Sequence, residues 1–176
     1  MVASGRSRRA WGWHPLVDEW ARRVVEDARV RPGQLVLDIG AGRGALTTHL
    51  LAAGARVVAV EPHPGRAERL RERFAGTDVT VVETDALALP LPRRPFRVVA
   101  SPPYALSSEL LRLLLAPRSR LVAADLVLQR AVVRRYTEGR SRPGRWEVRA
   151  GRALPRRAFR PPPQVDSSVL VVRRRR

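Results

Sequence analysis

Two short stretches of this chain combine residue types and spacings suited to chemistry. Ser101-Pro102-Pro103-Tyr104 follows the apolar run Phe96–Ala100, which reads as a buried strand of a parallel sheet. Each proline fixes its own φ and biases the residue before it toward extended geometry. The tetrapeptide is therefore a stiff, non-helical loop. Ligands of open α/β sheets sit beyond the carboxyl ends of the strands, so Ser101, Pro102 and Tyr104 are candidate ligand contacts. A loop that only terminates a strand would look the same in isolation. The second stretch is Gly40-Ala41-Gly42-Arg43-Gly44, directly after Leu35–Ile39. Glycines let the backbone approach a ligand closely, and the N-terminus of the helix that follows offers free N–H groups.

The glycine spacing is G-x-G-x-G, not the dinucleotide pattern G-x-G-x-x-G. Asp38, just ahead of it, would repel a pyrophosphate and attract a cation. Glu61 stands at the end of the next apolar run, about twenty positions beyond the first glycine, where an acid suits the two ribose hydroxyls of an adenosine cofactor. Nicotinamide and S-adenosylmethionine cofactors satisfy that condition equally. Asp85 follows a third run. It has two readings, an acceptor for an exocyclic adenine amine or a turn-capping residue.

The elements that must position these residues alternate. Helical spacing covers 15–30, with Pro15 suited to a first helical position, and Pro32-Gly33 turns the chain. Strands are predicted at 35–39, 55–60, 79–83, 96–100 and 124–129, and helices at 45–53, 64–74 and 108–115, the last capped by Ser107. Residues 130–145 are very basic and read as a turn-rich loop. Extended segments at 146–154 and 167–172 flank a linker holding Phe159 and Pro161-Pro162-Pro163, which fits an antiparallel hairpin at a sheet edge. The whole reads as one α/β domain with a mostly parallel sheet.

Composition narrows the partners. The 176 residues carry a net charge of +18, all of the basic side chains are arginine, and cysteine, lysine and asparagine are absent. Missing lysine and asparagine, with Ile39 the one isoleucine, point to a GC-rich genome. The size of the charge points to a polyanion, because each neutralised phosphate releases counterions. Without cysteine there are no disulfides, thiolate metal sites or cysteine nucleophiles. No apolar run reaches membrane-spanning length and no secretory signal is evident. Residues 1–14 join Arg6, Arg8 and Arg9 to Trp11 and Trp13, a mixture suited to phosphate contact and base stacking, or to tryptophans packing on the domain.

Taken together, the G-x-G-x-G cradle, the acids after the second and third strands, and Ser-Pro-Pro-Tyr after the fourth resemble class I S-adenosylmethionine-dependent methyltransferases of Rossmann-like fold, with a seven-stranded sheet. In that group a Ser/Asn/Asp-Pro-Pro-Tyr loop marks enzymes that methylate an exocyclic amine of a base. The segments DIGAGRGALTTHL, AVEPHP, ETDAL, ASPPY, DLVLQR and FRPPPQVDSSVL resemble more narrowly the Erm-type 23S rRNA adenine-N6 methyltransferases, over about residues 12–172. The related small-subunit rRNA dimethyltransferases share the fold. The resemblance implies methylation of an adenine in the peptidyl-transferase region and resistance to macrolides, lincosamides and streptogramin B. It implies S-adenosylmethionine held by Gly40, Gly42 and Glu61, with Asp85 at its adenine and His14, Leu16 and Ser101 beside it. Ser101, Pro102 and Tyr104 would hold the target base, and Phe159 would stack on its other face.

Three departures accompany the resemblance. Serine stands at 101 where the family usually has asparagine. Trp13-His14-Pro15-Leu16 replaces the family's Gln-Asn-Phe-Leu. The small helical RNA-binding domain with which family members normally continue has no counterpart, as in short actinobacterial members. The expected organisation is a basic tail (1–14) and a single catalytic domain (15–176), acting as a cytoplasmic monomer on free or pre-ribosomal 23S rRNA, without metal or membrane. Rival readings are a DNA cytosine-N4 or adenine-N6 methyltransferase, for which serine at 101 is the argument, and a non-catalytic basic RNA-binding protein on the same scaffold.

Overall fold

The computed structural model describes residues 13–139 and 144–176. Trp11, Arg6, Arg8, Arg9 and part of the basic stretch around 140 lie outside the described residues. Seven strands form one sheet in the order β3-β2-β1-β4-β5-β7-β6. They are β1 (Leu35–Ile39), β2 (Arg56–Val60), β3 (Val79–Val82), β4 (Phe96–Ala100), β5 (Leu121–Gln129), β6 (Trp146–Leu154) and β7 (Ser167–Arg174). The first five run parallel, and β7 lies antiparallel to both β5 and β6. The expected edge hairpin is present, with β6 at the edge.

The pleat sends alternate residues to two cores. Leu37, Ile39, Val98, Leu126 and Trp146 face one side, with α4 (Ser107–Leu114) and α5 (Arg130–Glu138) packed there. Val36, Val57, Val99, Val127 and Val169 face the other, under α1 (Asp18–Ala28) and α2 (Ala45–Ala52). Leu70 of α3 (Pro64–Arg73), with Phe74 just beyond it, closes a third, smaller cluster on Ala59 of β2. Central strands buried on both faces require apolar residues at successive positions, as in Val98-Val99-Ala100, and that is why they read as continuous runs.

Four expectations change. α1 begins at Asp18, so Pro15 precedes the helix instead of opening it, and β5 begins at Leu121, three residues ahead of the expected start. Residues 130–138 form a helix, not a loop. Val132, Val133 and Tyr136 fall on one helical face against the core, while the arginines that mask this pattern occupy the other faces, Arg134 pairing with Glu138 one turn on. Ser107 does not cap α4. A 3-10 turn, Tyr104–Leu106, precedes the helix, and the Ser107 hydroxyl donates back to the Tyr104 carbonyl oxygen at 2.8 Å.

One buried cation ties α1 to the sheet. Arg97 of β4 donates to the carbonyl oxygens of Ala28 and Arg29 at the end of α1, and its guanidinium lies 3.5 Å from Asp125 of β5. Arg173 covers the other side of the same carboxylate. Orphan carbonyls at a helix C-terminus favour such a cation. Among the described residues no helix is long and apolar enough to cross a membrane.

Candidate active site

The strand order reverses between β1 and β4, and ligands of doubly wound sheets bind at such a switch point. A cavity of about 630 Å³ opens there. It is lined by the carboxyl ends of β1, β2 and β4, by Asp85 beyond β3, and by the segment that enters α1.

The floor is the glycine loop. Gly40 and Gly42 have φ of 80° and 58°, a region that favours glycine. The loop is held down by the amides of Gly40 and Ala41, which donate to the Val60 carbonyl oxygen at 2.8 and 2.9 Å. A Cβ on Gly40 would stand 3.3 Å from Pro103 Cδ, and one on Gly42 would stand 3.1 Å from Trp13 Nε1. The glycines thus bring two of the cavity's walls close to its floor.

Two buried carboxylates face this floor. Asp38 accepts from the Thr47 hydroxyl through Oδ2 at 2.7 Å, while Oδ1 has no partner. Burial pushes its carboxyl up to about 7, against the Thr47 hydrogen bond and with a small further push from Glu61. Glu61 accepts from Arg66 Nε through Oε1 at 2.9 Å, and its Oε2 is likewise buried without a partner. Burial raises the Glu61 carboxyl and Arg66 opposes the rise. A buried polar atom left unpaired costs about 1–3 kcal/mol. Two such atoms on one cavity are acceptors suited to donors brought by a ligand, and the donor groups of S-adenosylmethionine, two ribose hydroxyls and an ammonium, match that chemistry.

A further wall of the cavity is Ser101–Tyr104. Ser101, Pro102 and Tyr104 all line the cavity. The Tyr104 hydroxyl shares a hydrogen bond with Ser167 Oγ at the start of β7, and burial raises the phenol. Asp85 also lines the cavity. Its Oδ1 accepts from the Leu87 amide at 2.8 Å, so the turn-capping reading is realised by one oxygen while the residue still borders the site.

The N-terminal segment forms the remaining wall. Leu16 bridges to Phe159 as an isolated antiparallel pair, flanked by Val17 N–H to Ala158 O at 2.8 Å and Arg160 N–H to Pro15 O at 3.0 Å. Trp13 lies against Gly42 with the guanidinium groups of Arg66 and Arg43 over its ring, at 4.6 and 5.3 Å from the centroid. His14 lines the cavity, and its Nδ1 lies 2.9 Å from the Pro161 carbonyl oxygen.

The structure brings together His14, Leu16, Gly40, Gly42, Glu61, Asp85, Ser101, Pro102 and Tyr104 around one cavity. It does not bring Phe159 there. Phe159 is only 3% exposed and packs among Leu16, Val127 and Val169 in the second core, because the Leu16 pairing draws its backbone under the N-terminal segment. Its ring is a core residue beneath the site. Sequence reasoning also passed over Arg66 and Ser167. Arg66 is indistinguishable in sequence from the other Arg/Glu surface pairs of α3. Ser167 lay within FRPPPQVDSSVL, and only the three-dimensional contact with Tyr104 singles it out.

A sheet of this order with a glycine-loop cofactor cleft at its switch point defines a Rossmann-like methyltransferase. The chain belongs to the ribosomal RNA adenine dimethylase family, whose pattern it matches over residues 6–176. It is 40% identical over 180 residues to an rRNA methyltransferase of Streptomyces thermotolerans, covering 97% of this chain and 60% of that one. It is 37% identical to Ribosomal RNA small subunit methyltransferase A of Thermosynechococcus vestitus over 185 residues, covering 96% and 70%. Among solved structures, that of the 23S rRNA methyltransferase ErmE superposes with a TM-score of 0.80 at 34% identity, covering 91% of this chain and 69% of that one. The chain spans less than two thirds of the length of the Streptomyces thermotolerans relative.

Proposed function

We propose that this protein methylates the N6 amine of an adenine in the peptidyl-transferase region of 23S rRNA, using S-adenosylmethionine, and thereby confers resistance to macrolides, lincosamides and streptogramin B. The observation that carries the reading is the meeting, in one cavity, of two unpaired buried carboxylate oxygens and the Ser101-Pro-Pro-Tyr104 loop. Residues 15–176 serve as a single catalytic unit, and the enzyme works in the cytoplasm where its rRNA is made.

Gly40 and Gly42 admit the cofactor to the floor, Glu61 Oε2 takes its ribose hydroxyls, Asp85 borders its adenine, and Asp38 receives its ammonium directly or through water. S-adenosylmethionine would supply an electrophilic methyl group on a sulfonium, which is left as a neutral thioether while the methylated amine gives up one proton to water. The protein's task lies with the amine, whose lone pair is delocalised into the base. Ser101 and the Pro102 carbonyl accept its two N–H bonds and favour a pyramidal nitrogen whose lone pair points into the cavity. Tyr104 stacks on the base, a contact worth about 1–3 kcal/mol. The base must leave its stack to reach this point. Positioning is the main catalytic contribution.

The decisive experiment is expression in a macrolide-sensitive bacterium, with primer extension across the peptidyl-transferase loop. A methylation stop and raised macrolide tolerance are expected. Methylation of duplex DNA alone would overturn the proposal. A second substrate, small-subunit rRNA, is favoured by the likeness to the Thermosynechococcus vestitus protein. Parallel extension on 16S rRNA separates the two.

A further inference from the structure

A second cavity, of about 430 Å³, opens at the other end of the sheet from the catalytic cleft, between the connector that leads into β4 and the turn that joins α4 to β5. Arg93, Arg118 and Arg120 line it, around an apolar floor that includes Leu89, Leu91 and Leu113, and no carboxylate lines it. All three arginines are exposed. Among the described residues their side chains take part in no hydrogen bond or ion pair. Other arginines of the fold are engaged. Arg66 holds Glu61, and Arg97 and Arg173 share Asp125. The walls of this second cavity are stiff. Pro92, Pro95 and Pro117 each fix a backbone φ in the segments that carry the arginines. The Phe96 amide donates to the Arg120 carbonyl oxygen at 3.3 Å and ties one wall to the other, while the Ser119 amide donates to the Ala116 carbonyl oxygen at 2.9 Å. Arg145 donates to the Pro117 carbonyl oxygen at 2.9 Å and brings a further positive charge to the same turn. Like charges gathered beside an apolar floor repel one another more strongly than in open water. A partner that carries several negative charges in a row relieves that repulsion, and the guanidinium fork matches phosphate bidentately.

The two cavities lie at opposite ends of β4, a strand of five residues. At about 3.3 Å per residue, with a turn at each end, they are about 20 Å apart. A polynucleotide spans such a distance. Successive phosphates advance about 3.4 Å along a helical strand, so the separation amounts to about six nucleotides. We propose that Arg93, Arg118 and Arg120 form a second contact for rRNA, a phosphate-backbone grip remote from the catalytic cleft that holds the substrate about six or more nucleotides from the target adenine. This rests on the function proposed above and adds to it where the substrate is held. The contact carries no base readout. It sets affinity and register, while the Ser101–Tyr104 loop handles the reacting amine.

The test uses the whole chain and an rRNA fragment spanning the peptidyl-transferase loop. One variant combines Arg93→Gln, Arg118→Gln and Arg120→Gln. A control removes the same charge elsewhere on the exposed surface through Arg56→Gln, Arg69→Gln and Arg149→Gln. Filter binding at several salt concentrations should show the log–log salt slope of the first variant lowered by about two to three and its Kd at about 50 mM salt raised at least about tenfold. The control should lower the slope by less than about one. Lysine at positions 93, 118 and 120 keeps the charge and should recover most of the slope. Phosphate-ethylation interference should reveal sensitive phosphates about six or more nucleotides from the target adenine in the wild type, and these should vanish in the first variant. The S-adenosylhomocysteine Kd, read by calorimetry, should stay within about twofold in every variant and so report an intact fold. The grip is overturned if the first variant keeps the wild-type slope, if the control loses as much, or if the interference lost is confined to phosphates beside the target. A wild-type chain that binds S-adenosylhomocysteine and methylates no rRNA adenine defeats the functional reading itself and removes the grip with it, an outcome distinct from all three.

Discussion

At the scale of single residues, the site works through atoms left deliberately unmatched by the protein. Asp38 is the sharpest case. Its carboxyl, ordinarily near 3.8, is pushed to about 7 by burial. The folded chain therefore holds a proton between these values that the unfolded chain releases, so this group's contribution to stability is full at low pH and is lost as pH rises through about 7. Thermal melts from pH 4 to pH 8 should show that decline, and Asp38→Asn should flatten it. S-adenosylhomocysteine, which brings an ammonium, should bind with proton release near pH 7 in the wild type and without it in the variant, as read by calorimetry in buffers of differing ionisation enthalpy. Tyr104→Ala should lower kcat/KM for methyl transfer by about 5- to 150-fold and leave the S-adenosylhomocysteine Kd within about threefold, since a stack on the target contributes nothing to cofactor affinity. Equal methylation by this variant would refute the stacking role. Glu61 and Asp85 were recognisable from position alone, one at the end of a strand and the other after one. Arg66 was not, because a cation that pairs with a buried acid has the same sequence as one that faces water.

At the scale of elements, the strands and the glycine loop follow directly from local sequence. Apolar runs of about five residues ended by glycine, proline or an acid leave little choice of structure. The helix α5 was hidden because its apolar face amounts to Val132, Val133 and Tyr136 among arginines, and local polarity outweighed a short periodic signal. Its anchor is Val133, 1% exposed. Val133→Ala should lower the unfolding free energy by about 1.5–2 kcal/mol, two buried methylene equivalents, measured by urea denaturation. Arg134→Ala, which removes a solvent-exposed pair with Glu138, should change it by less than about 0.5 kcal/mol. Equal effects would mean that α5 is not held by its apolar face. Phe159 shows the opposite difficulty. An aromatic in a motif announces importance, but the choice between a ligand-facing ring and a core ring was made by a pairing with Leu16, 143 residues away in sequence, that no local pattern contains.

At the scale of the whole molecule, the excess of arginine sets how the protein meets its partner. A net charge of +18 gives a field that draws polyanions and accelerates encounter. Affinity for an rRNA fragment should fall steeply and log-linearly with salt between about 50 and 200 mM, by a factor on the order of 10³ if about six phosphates are contacted. Filter binding at several salt concentrations would measure the slope. A flat dependence would contradict a phosphate-led interface. Charge of this size was plain from composition. Where it concentrates on the surface was not, since helix, strand and linker all carry arginine.

The antiparallel pairing of Leu16 with Phe159 has a consequence for the timing of synthesis. Residues 13–17 are made well before the backbone they dock on, 158–160. The five parallel strands and the glycine loop lie between these two segments in the chain, so the N-terminal segment stays undocked while they are made. The wall that carries His14 is put in place only when the carboxyl-terminal hairpin arrives. A nascent chain would thus have most of its strands before it has a closed site.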